Sequence, residues 1–180
     1  MNRYMYYVLL VLALGQMCGC AATVPYGIYE DKRLSDTIAD DAAISTGIKT
    51  ALLQADFSDG WGTGVYCYYG KVYMVGEVPA NMQGKAVELA RKEKGVRSVT
   101  THWFTPAKSD TNNFVLRTRL RTNLIGAKGV SNTRVDTEVN AGRVVLLGVV
   151  QNEKERGLVI KAAKDTQGVR EVTSFLMLPQ

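Results

Sequence analysis

Apolar and small residues follow an order along the chain that occurs twice. Residues 142–150 (GRVVLLGVV) have an earlier counterpart in residues 70–78 (GKVYMVGEV), at an offset of 72 positions. Each run opens on a glycine and a basic residue, continues through an apolar stretch and reaches a second glycine six positions after the first. Self-similarity at a fixed period is typical of a chain built from copies of one structural unit. The pattern therefore predicts two units of about seventy residues each.

Two further patterns repeat at nearly the same offset. Residues 95–100 (GVRSVT) match residues 168–173 (GVREVT) at an offset of 73, and a one-residue insertion in a loop would account for the difference. Apolar residues spaced by four precede each glycine-containing run, as expected for the buried stripe of a helix. The stripes consist of Ile44, Ile48 and Leu52 in the first unit and Leu116, Leu120 and Leu124 in the second.

The first unit contains signals for two helices and three strands. Asp40 and Asp41 precede the first stripe and predict the start of a helix, because acids favour a helix N-terminus. β-Branched and aromatic residues on either side of Gly70 predict a hairpin. A second helix is expected to end at Gly95, and residues 99–104 are expected to form the third strand.

The second unit predicts the same order of elements. Residues 114–124 are expected to form its first helix. Residues 134–140 alternate between apolar and polar side chains, as in a half-buried strand, and residues 144–150 predict a more fully buried strand. A helix over residues 152–165 and a strand over residues 169–178 complete the unit. The order αββαβ predicts an α+β fold in which each unit packs a three-stranded mixed sheet on two helices, with a right-handed β–α–β crossover.

The N-terminal segment has the pattern of an export signal. Residues 1–19 contain one charged side chain, Arg3, ahead of an apolar run at residues 6–14. This run is too short to span a bilayer comfortably, which takes about 20 residues, so the pattern indicates a secretory signal. The segment leads into Met-Cys-Gly-Cys, which resembles a bacterial lipobox. The small Gly19 directly before Cys20 makes this cysteine a better acceptor than Cys18.

Cys20 is therefore the expected lipidation site. Diacylglycerol together with an N-acyl chain such as palmitate would anchor the protein stably, because two or more chains hold where one does not. The next residue is Ala21 rather than an aspartate. Among lipoproteins with this resemblance, that choice indicates sorting to the outer membrane. The alternative is an ordinary cleaved signal that releases a soluble product.

The chain divides into four segments on these grounds. Residues 1–19 are the expected lipoprotein signal peptide, and residues 20–35, which have no periodic pattern, are the expected tether. Residues 36–105 and 106–180 are the two repeated units. The chain has 180 residues and 46% hydrophobic content, which fits a folded globular protein rather than a disordered one.

Few residues are available for metal or nucleophilic chemistry. The sequence has a single histidine, His102, and no cluster of histidine and cysteine, so a zinc site or a histidine-based triad lacks its parts. Two of the three cysteines fall at the processing site. Cys67, whose counterpart in the second unit is Val139, is expected to be a small packed residue. Helix capping explains the acid pairs, which are Asp40 with Asp41 and Glu153 with Glu155. We expect no enzymatic activity, no cofactor and no metal.

The net charge is concentrated in the second unit. Residues 36–105 contain seven Lys and Arg against eight Asp and Glu, whereas residues 106–180 contain twelve against seven, a net charge of +5. An anionic membrane surface attracts each nearby Lys or Arg by about 1 kcal/mol, which favours the second unit as the lipid-contacting one. The pI of about 9.1 would also suit nucleic acid, but the export signal argues against that partner.

The expected helix that begins at Phe114 has apolar residues outside its leucine stripe. With 3.6 residues per turn, Phe114, Arg121 and Ile125 fall roughly opposite the leucines, and Arg117 lies on the flank. Aromatic and aliphatic side chains enter the acyl boundary of a membrane, while guanidinium groups bind phosphates with forked hydrogen bonds. The candidate phospholipid-binding residues are Phe114, Arg117, Arg121, Ile125 and Lys128.

The corresponding face of the first helix has much less of either property. It carries Ala42, Thr46, Lys49 and Leu53. An alternative for the second helix is that Phe114 packs against the first unit and the arginines are ordinary solvated charges. Both ideas hold in part if Phe114 makes a domain contact and the arginines stay accessible.

The repeated motifs resemble a known family. Two αββαβ units with G-[KR]-V-x-x-x-G-x-V and G-V-x-x-V-T resemble BON domains, and a lipobox ahead of two such units resembles the dual BON-domain outer-membrane lipoproteins of the DolP (YraP) type. The first unit departs from this pattern in its glycine-rich loop around Trp61. The resemblance implies anionic phospholipid binding, a role in outer-membrane integrity and no enzymatic activity. It also implies that the helix of the second domain contacts lipid, with an aromatic residue expected where Phe114 lies.

A protein-binding role is the competing hypothesis. In that case the chain is a periplasmic adaptor for envelope assembly or stress, with the lipid anchor as its only membrane contact. The exposed strand edges of two small sheets would bind a partner by strand addition. Binding that needs anionic lipid and falls with salt would separate phospholipid recognition from this alternative.

Overall fold

The computed structural model describes residues 35–56, 60, 62–108, 112–131 and 135–180. The predicted signal peptide, residues 20–34 of the predicted tether with Cys20, and Trp61 all lie outside the described residues.

The elements described in each unit follow the predicted order αββαβ. The first unit consists of α1 (Ser35–Ala55), β1 (Thr63–Tyr68), β2 (Lys71–Gly76), α2 (Ala80–Lys92) and β3 (Ser98–Trp103). The second unit consists of α3 (Asn113–Gly126), β4 (Val135–Asn140), β5 (Arg143–Val149), α4 (Glu153–Lys164) and β6 (Glu171–Met177). The predicted α+β fold with a mixed sheet in each unit is confirmed.

Both sheets have the same topology and the same register. The hairpin strands pair antiparallel, and the last strand of each unit pairs parallel to the middle one. The aligned residues are Cys67, Val72 and Val99 in the first sheet and Val139, Val144 and Val172 in the second. These six positions match at the repeat offsets, so the two halves of the sequence encode one fold twice.

The helices cover one face of each sheet. The leucine stripe of α3 is buried as predicted and packs with Val144 and Leu146 of β5. The stripe of α1 is buried in the same way, together with Val72 and Met74 of β2. Because side chains alternate along a strand, every second residue of the middle strands points away from these helices.

The faces that the helices leave open pack against each other. Val145 and Leu147 of β5 are fully buried and cluster with Tyr68 and Val75 of the first unit. Tyr73 and Phe175 meet across this contact with ring centroids 5.3 Å apart. The middle strand β5 is therefore buried on both sides, which explains its nearly continuous apolar sequence.

The polar face of β4 lies at the rim of this contact. Its alternation predicted a strand with one solvent-facing side, but that side carries acids that bond to the first unit. The hydroxyl of Tyr68 donates to Asp136 Oδ2 at 2.6 Å, and that of Tyr66 donates to Glu138 Oε1 at 2.6 Å. Tyrosine hydroxyls buried in a largely apolar contact need such acceptors.

Neither Asp40 nor Asp41 starts the first helix, so the prediction made from this acid pair is wrong. The helix α1 begins at Ser35, and Asp41 is a buried residue within it, only 4% exposed. Its carboxylate accepts the backbone N–H groups of Tyr69 and Gly70, each at 2.8 Å. These residues form the β1–β2 turn with φ angles of 56° and 72°. An acid that can cap a helix is equally suited to a tight turn, because both present unpaired backbone N–H groups.

The second unit holds its hairpin turn by the same device. Asn113 lies 72 positions after Asp41, and its Oδ1 accepts the N–H of Ala141 at 2.8 Å. Ala141 and Gly142 also have positive φ angles, 49° and 83°. The helix cap is instead Asn112, which accepts the N–H of Phe114 at 2.7 Å. A side-chain oxygen from the first helix of each unit thus fixes the hairpin turn.

We predict that Asp41→Ala lowers the free energy of unfolding by about 2 kcal/mol or more, because it leaves two backbone N–H groups without their acceptor. Asp41→Asn should cost less, since an amide oxygen serves this purpose in the second unit. Denaturant unfolding followed by circular dichroism measures both. The exposed neighbour provides the control: Asp40→Ala should change stability by less than about 0.5 kcal/mol. Equal losses at both positions would contradict the assigned role of Asp41.

Candidate functional site

The outward side of α3 exposes large apolar side chains. Among the described residues, the exposed large hydrophobic side chains are those of Phe114 (77%), Val115 (41%) and Ile125 (58%), and all three belong to α3. They remain outside because the leucine stripe already fills the side of the helix that packs on the sheet. Exposed apolar side chains gathered on one element mark an interaction surface more often than isolated ones do.

Two threonines lie between these apolar residues. The hydroxyl of Thr118 donates to the carbonyl oxygen of Phe114 at 3.0 Å. The hydroxyl of Thr122 donates to the carbonyl oxygen of Thr118 at 3.0 Å. Hydroxyls that bond back to the preceding turn have already used their one proton. We call the surface formed by Phe114, Val115, Thr118, Thr122 and Ile125 the α3 outer face. It is apolar at both ends and has its central hydroxyl donors satisfied.

Arg117 and Arg121 border this face and line a cavity of about 420 Å³ between α3 and β4. We call it the α3–β4 cavity. Its polar lining comes from both units: Arg117, Arg121, Asp136, Thr137, Glu138 and Tyr66. The cavity therefore joins the guanidinium groups beside the α3 outer face to the contact between the two sheets.

Glu138 connects the two units at the floor of this cavity. Its Oε2 accepts Arg117 Nη2 at 3.2 Å, while its Oε1 accepts the Tyr66 hydroxyl. Burial is the largest cause, and the charge of Glu138 the next, of a raised pKa for the Tyr66 hydroxyl. Tyr66 therefore stays protonated at neutral pH and remains a hydrogen-bond donor to Glu138.

The structure places the predicted phospholipid-binding residues as follows. Phe114 and Ile125 are strongly exposed, and the 77% exposure of Phe114 contradicts the alternative in which it packs against the first unit. Arg117 and Arg121 come together at the α3–β4 cavity. Lys128 is exposed just beyond the end of α3.

Sequence reasoning missed three kinds of residue at this site. Val115 lies about 100° around the helix from Phe114, so a wider arc of the helical wheel would have included it. The threonine pair at i and i+4 was a visible signal for hydroxyls that bond back to the helix. Glu138 and Tyr66 gave no local signal, because Glu138 meets Arg117 through the packing of α3 beside β4, and Tyr66 meets Glu138 through the packing of the two sheets.

The equivalent side of α1 does not form such a site. Ala42 stands where the second unit has Phe114, and Lys49 stands where it has Arg121. The ammonium of Lys49 donates to the carbonyl oxygens of Gly60 and Thr63 at 2.7 and 2.6 Å. Burial lowers the pKa of Lys49, with the charge of Glu138 opposing the shift. The basic residue of the first unit is thus bonded to the backbone at Gly60 and at the start of β1.

The remaining candidate residues have structural contacts. Glu155 is buried at the start of α4, and its carboxylate accepts the N–H groups of Ser131 and Gln151 at 2.8 and 2.6 Å. Glu155 lies in the first turn of α4, as predicted, whereas the N-cap of that helix is Asn152, whose Oδ1 accepts the N–H of Glu155 at 2.9 Å. Cys67 is buried, with its sulfur 3.1 Å from Asp41 Oδ1, as expected of a packed thiol.

Clusters of metal ligands and membrane-spanning helices are both absent from the described part of the chain. No group of three or more His, Cys, Asp or Glu side chains there is arranged to hold a metal ion. None of the helices in these residues is both long enough and apolar enough to cross a membrane.

Comparison with known proteins identifies the repeated unit. The family model of the BON domain matches residues 40–102 and again residues 112–178. No curated protein matches the chain.

Two solved structures show a distant likeness. The chain is similar to CdsD, a structural protein of the type III secretion system of Chlamydia trachomatis, with 16% identity and a TM-score of 0.33. That match covers 77% of this chain and 63% of the CdsD chain, so this chain spans less than two thirds of it. It is also similar to the C-terminal domain of CdsD, with 16% identity, a TM-score of 0.33 and coverage of 78% and 67%.

The two family matches cover well over half of the chain and coincide with the two αββαβ units. BON domains as a family are associated with membrane or phospholipid interactions. With its sheet topology and its repeated motifs in agreement, this chain belongs to the BON-domain family and contains two copies of the domain.

Proposed function

We propose that the protein is an outer-membrane lipoprotein of the dual-BON, DolP type. It is lipid-anchored through Cys20, faces the periplasm and binds anionic phospholipid through its second domain. It has no enzymatic activity and supports outer-membrane integrity. The observation that carries the proposal is the α3 outer face: an exposed apolar surface with Arg117 and Arg121 at its border.

The α3 outer face suits the boundary between lipid headgroups and acyl chains. Phe114 and Ile125 would enter the acyl region, and burying such a side chain fully is worth about 1.5–3 kcal/mol. Arg117 and Arg121 would bind phosphates from the side, each adding about 1 kcal/mol at an anionic surface. The net charge of +5 on residues 106–180 attracts the second domain to the same surface.

The lipid anchor changes how strong this contact has to be. A tethered domain meets the membrane at a high effective concentration, so a weak interaction is sufficient for frequent contact. The anchor would keep the protein at the membrane. The helix α3 would recognise the charge of the lipid and orient the domains on the membrane surface.

Vesicle co-sedimentation tests lipid recognition apart from the anchor. All described elements lie within residues 35–180, so a chain of residues 21–180 keeps both cores complete. We expect it to bind phosphatidylcholine vesicles only when phosphatidylglycerol is added, and to dissociate as NaCl rises, because salt screens exposed charges. Absence of binding to either vesicle would refute recognition by α3 and favour the adaptor hypothesis.

The double variant Phe114→Glu/Arg121→Glu tests the location of the contact. It places acids on the α3 outer face and at its border, and we expect affinity for anionic vesicles to fall about tenfold or more. The control Ala42→Glu/Lys85→Glu makes the same charge change at exposed positions of the first domain and should retain most of the affinity. Equal losses in both variants would mean that net charge, and not α3, determines binding.

The anchor is tested by metabolic labelling with palmitate in a bacterial host. We expect Cys20→Ser to abolish incorporation of label, because the modified sulfur is gone, whereas Cys18→Ser should leave incorporation intact. Membrane fractionation of the same cells should show the Cys20→Ser chain leaving the outer-membrane fraction. Label that persists in Cys20→Ser would exclude this cysteine as the anchor.

A further inference from the structure

The α3–β4 cavity is lined by both cationic and anionic side chains. Arg117 and Arg121 are exposed on its α3 side, and Asp136 and Glu138 come from β4. Asp136 bonds to the Tyr68 hydroxyl, whereas Glu138 bonds to both Tyr66 and Arg117. Within the described residues, no acidic side chain lies within ion-pair distance of Arg121. Arg117 is thus the guanidinium of this cavity that already has an anionic partner.

We propose that Glu138 acts as an internal competitor for the phospholipid phosphate, and that the α3–β4 cavity receives that phosphate between Arg117 and Arg121. In the free protein the Glu138 carboxylate forms an ion pair with the Arg117 guanidinium. When a phosphate enters, Arg117 turns to it, and Glu138 keeps its hydrogen bond from Tyr66. This inference rests on the proposed binding of anionic phospholipid and assigns to Glu138 a lowering of its affinity.

The strength of the Arg117–Glu138 pair is suited to such an exchange. The N–O distance is 3.2 Å, and the Arg117 side chain is 53% exposed. Partly exposed ion pairs with a single contact contribute little to stability, because water solvates both partners. A phosphate can bind a guanidinium with two parallel hydrogen bonds, which a single contact to Glu138 does not match.

The position of Tyr66 explains why Glu138 remains in place during the exchange. Its hydroxyl holds Oε1 at 2.6 Å, the shorter of the two contacts. A Cβ at Gly64 would come within 2.8 Å of the same oxygen, so the packing of β1 also fixes this carboxylate. The more exposed arginine is therefore the partner that turns to the phosphate. The cost of binding is therefore the loss of one contact and the repulsion between phosphate and Glu138.

The test compares two charge-equivalent variants in the vesicle assay. Glu138→Gln removes the competing charge and keeps an acceptor for Tyr66, so affinity for phosphatidylglycerol-containing vesicles should rise about threefold to tenfold. Asp136→Asn removes the same charge from the same cavity without touching Arg117, so its gain should be clearly smaller. Thermal unfolding of both variants verifies that the fold is retained.

A double-variant cycle with Arg117→Ala assigns the effect to the pair. In the Arg117→Ala background, Glu138→Gln should raise the vesicle affinity by no more than Asp136→Asn does. The reason is that the arginine for which Glu138 and phosphate compete is absent. Equal gains for Glu138→Gln and Asp136→Asn, or a Glu138→Gln gain that persists without Arg117, would overturn the inference. If the wild-type chain still binds anionic vesicles in that case, the proposed function stands. If neither the wild-type chain nor any variant binds anionic vesicles, the inference and the proposed function are both overturned.

The alternative ligand of the cavity is a phosphate that is free in solution. Calorimetric titration of the wild-type chain with inorganic phosphate should show no binding at the concentrations where vesicles bind, because the α3 outer face contributes only when a membrane is present. Comparable affinity for inorganic phosphate would assign the cavity to a soluble ligand and overturn the lipid assignment.

Discussion

The structure depends on the burial of two sheet faces in one contact. A three-stranded sheet has two faces, and the two helices of each domain cover only one of them. The other faces carry Tyr68 and Val75 in the first domain and Val145 and Leu147 in the second. Left exposed, each would be an apolar patch of the kind that promotes association. Stacking the two sheets buries both patches at once, so the two domains share a hydrophobic cluster between their sheets.

This stacking determines which surfaces remain for function. With the sheets at the centre, the helices lie on the outside, and the side of α3 opposite its leucine stripe faces solvent. Phe114 and Ile125 therefore stay exposed on the side of α3 that faces away from the sheet. The same stacking places Tyr66 of the first domain beside Glu138 of the second. The α3–β4 cavity is consequently bounded by both domains, although its guanidinium groups belong only to the second.

The two copies of the fold share their core and differ on the outer faces of their first helices. Both retain the buried stripe, the register and the side-chain oxygen that holds the hairpin turn. Their outer faces differ: Lys49 bonds to the carbonyl oxygens of Gly60 and Thr63 in the first domain, whereas Arg121, at the matching position, borders an apolar surface in the second. One domain serves as the structural partner, and the other presents the surface proposed to bind phospholipid.

The sequence by itself determined the repeat, the element order, the buried stripes and the exposed face of α3, because helical and strand periodicities report which residues are buried. It did not determine what buries them: the alternation in β4 marked Asp136 and Glu138 as outward, but not as acceptors for tyrosines of the other domain. It placed Asp41 at a helix start, since the same acid suits a cap or a turn. Glu138 reaches Arg117 and Tyr66 across 21 and 72 positions. The contact with Arg117 forms when α3 packs beside β4, and the contact with Tyr66 forms only when the two sheets stack, so the tertiary structure alone decided both.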